Sequence, residues 1–120
     1  MATSGDLPKD ERIKREERKL KRLYKDVSKD TKSLIDGLIQ RAAYMRITLE
    51  DYEADIDEHG YVEMFSQSVN TDPYERERPV VRLYNTMNKN YQSIIKQLSD
   101  LLPKGNPKQK GDALMEFLKK

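Results

Sequence analysis

The sequence predicts an all-α protein built on a long antiparallel helical hairpin. Three observations predict it. From Pro79 to Leu102, apolar or aromatic residues fall at Val80, Tyr84, Met87, Tyr91, Ile94, Leu98 and Leu101, in alternating steps of four and three. This is the a/d seam of a packed helix. Upstream, Ile35, Leu38, Ala42, Met45, Leu49, Tyr52 and Ile56 repeat the same steps over a similar length. Between the two lies a connector with a different composition, so the seams can face each other.

The first 30 residues form a separate segment. Met1 to Leu7 is small and polar, with no apolar run of the secretory kind. Pro8, Asp10 and Glu11 mark a helix start, the acids suiting the positive end of the dipole. Good helix formers continue to Val27, with a thin apolar stripe of Ile13, Leu20, Leu23, Tyr24 and Val27. Between Arg12 and Lys25 there are eight basic residues and two acidic ones. Such a helix is either a solvated one laced with pairs such as Glu16–Lys19 and Glu17–Lys21, or a surface for phosphates.

The hairpin is expected over residues 31–103. Ser28 or Asp30 can cap its first helix, which runs to about residue 59. Gly37 is an interior weak point, costing about 1 kcal/mol relative to Ala. Ala42 and Ala43 permit close approach of a neighbour, and Gly60 suits the helix end. Gly60 to Asp72 reads as a loop with at most a short strand, and Phe65 within it either tucks under the hairpin tip or meets another subunit.

Asp72-Pro73-Tyr74-Glu75 has the form of a capping box. Pro79 would then fall inside a helix and cost it a hydrogen bond. The second helix therefore starts either at 74 with a kink or at Pro79, and runs to Leu102. Arg76 and Arg78 alternate with Glu75 and Glu77, pairing within the chain or across a subunit boundary. Residues 104–111 form a linker rich in Pro and Gly. Residues 112–120 then make a short amphipathic peptide with Leu114, Met115, Phe117 and Leu118 as its apolar side. Too short to be stable alone, it is either a docking peptide or a segment that folds back on its own hairpin.

Composition limits the rest. Charged residues are 37 % of the chain and hydrophobic ones 36 %, enough for a hairpin seam but not for a large globular core. A bare hairpin of this length needs help from the N-terminal helix, from self-association, or from both. No stretch approaches the roughly 20 apolar residues of a membrane span. With no cysteine and one histidine, His59, a transition-metal site is not expected. No phosphate-cradling GxxxxGK[ST] loop and no nucleophile elbow is present, so neither catalytic residues nor a cofactor is expected. Asp55-x-Asp57-x-His59-Gly60 imitates the front of a calcium loop, but its twelfth position is Ser66 rather than a bidentate Glu. The net charge of +2 conceals a strong asymmetry, since Glu50 to Glu63 holds seven acids and no Lys or Arg. Separated charge suits oriented assembly or a polyanionic partner.

Several phrases are distinctive: Arg41-Ala-Ala-Tyr-Met-Arg-Ile-Thr-Leu-Glu, Gly60-Tyr, Tyr74-Glu-Arg-Glu-Arg-Pro, Tyr84-Asn-Thr-Met-Asn-Lys-Asn-Tyr-Gln-Ser-Ile-Ile-Lys-Gln-Leu and Leu101-Leu-Pro. Over residues 32–103 the chain resembles the small terminase subunits of tailed phages and prophages of Gram-positive bacteria. The resemblance implies a non-catalytic protein of the host bacterial cytoplasm that forms a homo-oligomeric ring, binds viral DNA and regulates the large ATPase-nuclease subunit. Many such subunits carry an N-terminal helix-turn-helix domain, for which the roughly 30 residues before this hairpin are too few. On this reading Lys14, Arg15, Arg18, Lys19, Lys21, Arg22 and Lys25 face DNA. Leu114, Met115, Phe117 and Leu118 dock the large subunit. Leu83, Tyr84, Tyr91, Ile95, Arg76 and Arg78 meet neighbouring subunits, while Ile94 and Leu98 form the hairpin core. The other reading of the same seams is a coiled-coil scaffold with no nucleic-acid role.

Overall fold

Two helices carry the fold, and a third closes it. The computed structural model describes residues 7–102 and 118. Expectations for residues 1–6, for the linker, and for Leu114, Met115 and Phe117 lie outside the described residues. Helix α1 spans Lys9–Lys21 and tightens into a 3-10 turn at Arg22–Tyr24. Helix α2 spans Lys29–His59, strands β1 and β2 span Val62–Phe65 and Tyr74–Glu77, and helix α3 spans Pro79–Asp100. The chain is thus mostly helical, with a small antiparallel sheet at the tip of the hairpin.

Local chemistry sets the ends of α2. Ser28 caps it, its Oγ accepting from the Thr31 N–H at 3.3 Å. At the far end Gly60 takes φ 81°, a conformation that strains residues with a side chain, and its N–H donates to the Ile56 carbonyl at 2.7 Å. With 31 residues α2 is about 46 Å long. Ile35, Ala42, Leu49 and Ile56, seven residues apart, are all buried. Ile39, Ala43 and Ile47 are buried as well, a second stripe that the a/d pattern misses. α2 needs both stripes because it packs against α3 and also against α1.

Helix α3 starts at Pro79, where the missing N–H costs nothing. The capping box at Asp72 does not form, because Tyr74–Glu77 is a strand. The register pairs Val62 with Glu77, Glu63 with Arg76, Met64 with Glu75 and Phe65 with Tyr74. One sheet face therefore holds Glu63, Phe65, Tyr74 and Arg76, and these satisfy one another. Arg76 Nε donates to Glu63 Oε2 at 2.7 Å, its guanidinium lies 3.5 Å from the Phe65 ring centroid, and Tyr74 meets Phe65 edge to face. Phe65 is thus half-buried within the hairpin's own aromatic stack. The other face presents Val62 and Met64 beside Glu75 and Glu77, with both apolar side chains exposed.

The buried stripe of α3 is rotated from the expected seam. Val81, Tyr91, Ile95, Leu98 and Leu102 are buried, whereas Tyr84, Met87, Ile94 and Leu101 are only partly so. The reason is the third element. Leu20 and Tyr24 join Ile95, Leu98 and Leu102 in one core cluster, and the Tyr24 hydroxyl donates to the Leu98 carbonyl. The wide stripe of α3 does serve two interfaces, but here the second is the end of the N-terminal segment. Tyr91 and Ile95, expected at subunit contacts, are 4 % and 5 % exposed within a single chain and belong to its core. Arg76 and Arg78, expected there too, are engaged within the chain.

Candidate nucleic-acid interface

Helix α1 is amphipathic in an unusual way. Its inner side carries Ile13, Leu20 and, past the helix end, Tyr24; nearly everything else is charged. Docking that inner side fixes where the cations point. Lys14, Arg18, Lys21 and Lys25 follow steps of four, three and four, and form one row. Arg15, Lys19 and Arg22 form a second row beside it. Lys19 is half-buried, and the other six are exposed. Among the described residues, the side chains of Lys14, Arg15, Arg18, Lys21, Arg22 and Lys25 make no ion pair or hydrogen bond. The structure thus gathers all seven sequence-predicted residues on one short segment.

The acids of α2 are used differently. Arg12 Nη1 donates to Asp51 Oδ1 at 2.6 Å, and its Nη2 to Glu50 Oε1 at 3.3 Å. Lys9 approaches Asp51 at 3.9 Å and lies over the Tyr44 ring. The hydrogen bond to Asp51 pushes the Arg12 guanidinium pKa further up, against the opposing effect of burial. Farther along, Asp55 binds Arg78, and Glu53 accepts from the Tyr84 hydroxyl at 2.9 Å. Much of the acidic run is therefore neutralised inside the chain, while the basic rows of α1 are left facing outward. Arg12 was not singled out in the sequence. Its place among the other cations beside Ile13 gave no signal, and only its acidic partners on another helix reveal it as a clasp.

Behind the basic rows lies a polar cavity of about 170 Å³ lined by Arg12, Arg15, Glu16, Lys19, Arg46 and Glu50. Arg46 Nε donates to Glu50 Oε2 at 3.2 Å, one turn along α2. Burial pushes the Glu16 carboxyl up, with Lys19 and Arg46 opposing. The Tyr91 hydroxyl reaches this cluster from α3 and is also pushed up by burial, with Arg46 opposing. The cluster ties α1 to α2 by charge where the apolar stripe is thin.

The remaining sequence-predicted residues separate. Leu83 is 55 % exposed and borders a shallow apolar recess with Pro79, Glu77 and Arg82. Tyr84 is half-buried. Asp55, Asp57 and His59 lie on continuous helix, so the calcium-like spacing is not a loop. Leu118 packs against the chain's own core. Among the described residues no helix is long and apolar enough to cross a membrane. Comparisons with protein-family models, with curated proteins and with solved structures give no match.

Proposed function

We propose that this chain is the small subunit of a phage terminase, acting in the host bacterial cytoplasm. In this reading it is a non-catalytic, ring-forming adaptor that binds viral DNA and recruits the large ATPase-nuclease subunit. The observation that carries the reading is the double row of cations along α1 and the turn that follows it, six of them exposed with no side-chain partner among the described residues. Phosphates attract such a surface without needing base contacts. The clasp of Arg12 on Glu50 and Asp51 and the anchor of Tyr24 hold the rows at a fixed angle to the hairpin. The resemblance of residues 32–103 to small terminase subunits suggests the biological setting.

Weak contacts repeated around a ring multiply by avidity. One surface for contacts between copies is the recess of Leu83, Pro79 and Glu77, the last paired with the exposed Val62 across the sheet. To test the reading, Lys14, Arg15, Arg18, Lys19 and Arg22 are changed to Glu and duplex DNA binding is titrated against salt. The expected result is loss of binding. Single changes to Ala are expected to lower the slope of log affinity against log salt by about 0.9 for each phosphate contact removed. Unchanged affinity and slope in the five-fold variant would sink the assignment. Native mass spectrometry then reports the subunit number with and without DNA. A monomer or dimer under both conditions would favour the scaffold reading.

A further inference from the structure

Leu118 stands 16 positions beyond Leu102, yet it rests against the same core cluster. It closes one side of a groove between α2 and α3, whose cavity of about 330 Å³ it lines together with Arg46, Leu49, Glu53, Tyr91 and Gln92. Leu49 and the Tyr91 ring offer apolar floor; Glu53, Asn88 and Gln92 form a polar rim.

We propose that this groove is a receptor for the chain's own Leu118, which anchors the C-terminal end in cis and withholds it from other partners. Three features of the groove favour this occupant. Leu118 is an apolar side chain seated at an apolar floor. The two residues that follow it are Lys119 and Lys120, and the groove's wall carries Glu50 and Glu53 against one cation, Arg46, which is paired with Glu50 and leaves Glu53 as the acid free of an ion pair among the described residues. Reach is no obstacle. Gln92 and Asn88 lie 10 and 14 residues before Leu102 on the same helix, a distance of about 15–21 Å at 1.5 Å per residue. Sixteen residue steps can span about 50 Å when extended. A tether this much longer than its span keeps the local concentration of Leu118 near the millimolar range.

The consequence for regulation rests on the proposed function. If residues 112–120 dock the large subunit, Leu118 cannot serve the groove and the partner at once. Docking then requires release, and release exposes Leu49 and Tyr91. The seating itself does not depend on that reading.

The native chain has no cysteine, so Lys120→Cys gives a single site for a spin label in the full-length protein. The expected result is selective broadening of the Asn88 and Gln92 side-chain amide signals, abolished by adding Leu118→Asp. Absence of broadening in the labelled chain would overturn the proposal. So would broadening seen only when spin-labelled, isotope-free chains are mixed with isotope-labelled, spin-free ones, which assigns the groove to a neighbour's tail. Adding the large terminase subunit is expected to restore both signals. Binding with the broadening intact overturns the release step, whereas failure of the large subunit to bind removes the docking reading and leaves the seating standing.

Discussion

Arg78 reaches back from the foot of the β-hairpin and grips Asp55 of α2. Its Nη2 donates to both carboxylate oxygens, at 2.9 and 3.0 Å, while Nη1 donates to the Gly60 carbonyl at 2.8 Å. One planar guanidinium thus joins the last turns of α2, the reversal at Gly60 and the start of α3. Arg78→Ala removes all three bonds and leaves Asp55 with His59, 3.8 Å away, in place of the guanidinium. The expected cost is about 1–3 kcal/mol, because hydrogen bonds to charged groups fall in that range. Arg78→Lys should recover less than half, since an ammonium cannot reproduce the fork. Urea titration measures both, and hydrogen exchange at Val62–Phe65 shows whether the loss is local. Equal stability of Arg78→Lys and the parent would refute the geometric argument.

Tyr24 is buried and its hydroxyl donates to the Leu98 carbonyl, near the end of α3. Burial also pushes the phenol pKa well up. Tyr24→Phe keeps the ring and deletes the donor, leaving the Leu98 carbonyl only the bond from the Leu101 N–H at 3.1 Å. The expected loss is about 0.5–1.5 kcal/mol in a denaturant titration, the net worth of one hydrogen bond. Because Tyr24 fixes the far end of the basic segment, the variant should also bind DNA more weakly under conditions where it is fully folded. A stability loss with unchanged DNA binding would detach the anchor from the interface.

Glu16 sits in the polar cavity under α1, and burial raises its carboxyl pKa above the ordinary 4.5 while Lys19 and Arg46 pull it down. The folded chain therefore holds this proton more tightly than the unfolded one. The stability gained from it is complete below 4.5 and is lost as pH rises through the raised folded value. At neutral pH the ionised carboxylate opposes folding. Glu16→Gln is expected to raise the melting temperature at neutral pH, with the gain shrinking as pH falls from the raised folded value toward 4.5. Melts across that range decide the matter, and a pH-independent difference would contradict the burial account.

The hairpin was legible because each helix repeats an apolar spacing that only a partner can satisfy. The turn at Gly60 followed from local backbone chemistry, while the start at Pro79 and the cap at Ser28 were each one of two readings that local chemistry allowed. The β-hairpin was not legible, since Tyr74–Glu77 is three-quarters charged and takes its strand form from pairing with Val62–Phe65. Nor was the rotation of the α3 stripe. Periodicity states how wide an apolar face is, but not which element covers each edge of it. Ile95 looked surplus to a two-helix contact, and Leu20 with Tyr24, some 70 residues away, turned out to cover it. The basic rows of α1 were legible as composition; their separation from the acids of α2 was not, because Arg12 and Arg78 do that neutralising over long range.

Leu83 and Ile95 test that distinction directly. They lie 12 residues apart on α3, and both were read as candidates for subunit contacts. Leu83 is 55 % exposed and Ile95 is 5 % exposed. A charge at Ile95 must enter the cluster with Tyr24 and Leu98, so Ile95→Asp is expected to unfold the chain or cost several kcal/mol, at the upper end of about 3–5 kcal/mol for core lesions. Leu83→Asp places its charge in water and should leave the circular dichroism spectrum and melting temperature close to the parent's. If the Leu83 surface joins copies of the chain, the same variant lowers the sedimentation coefficient of the assembly, and Met64→Asp on the neighbouring sheet face lowers it as well. An intact assembly in both variants would place the contacts between copies elsewhere on the surface, with the α3 core unchanged.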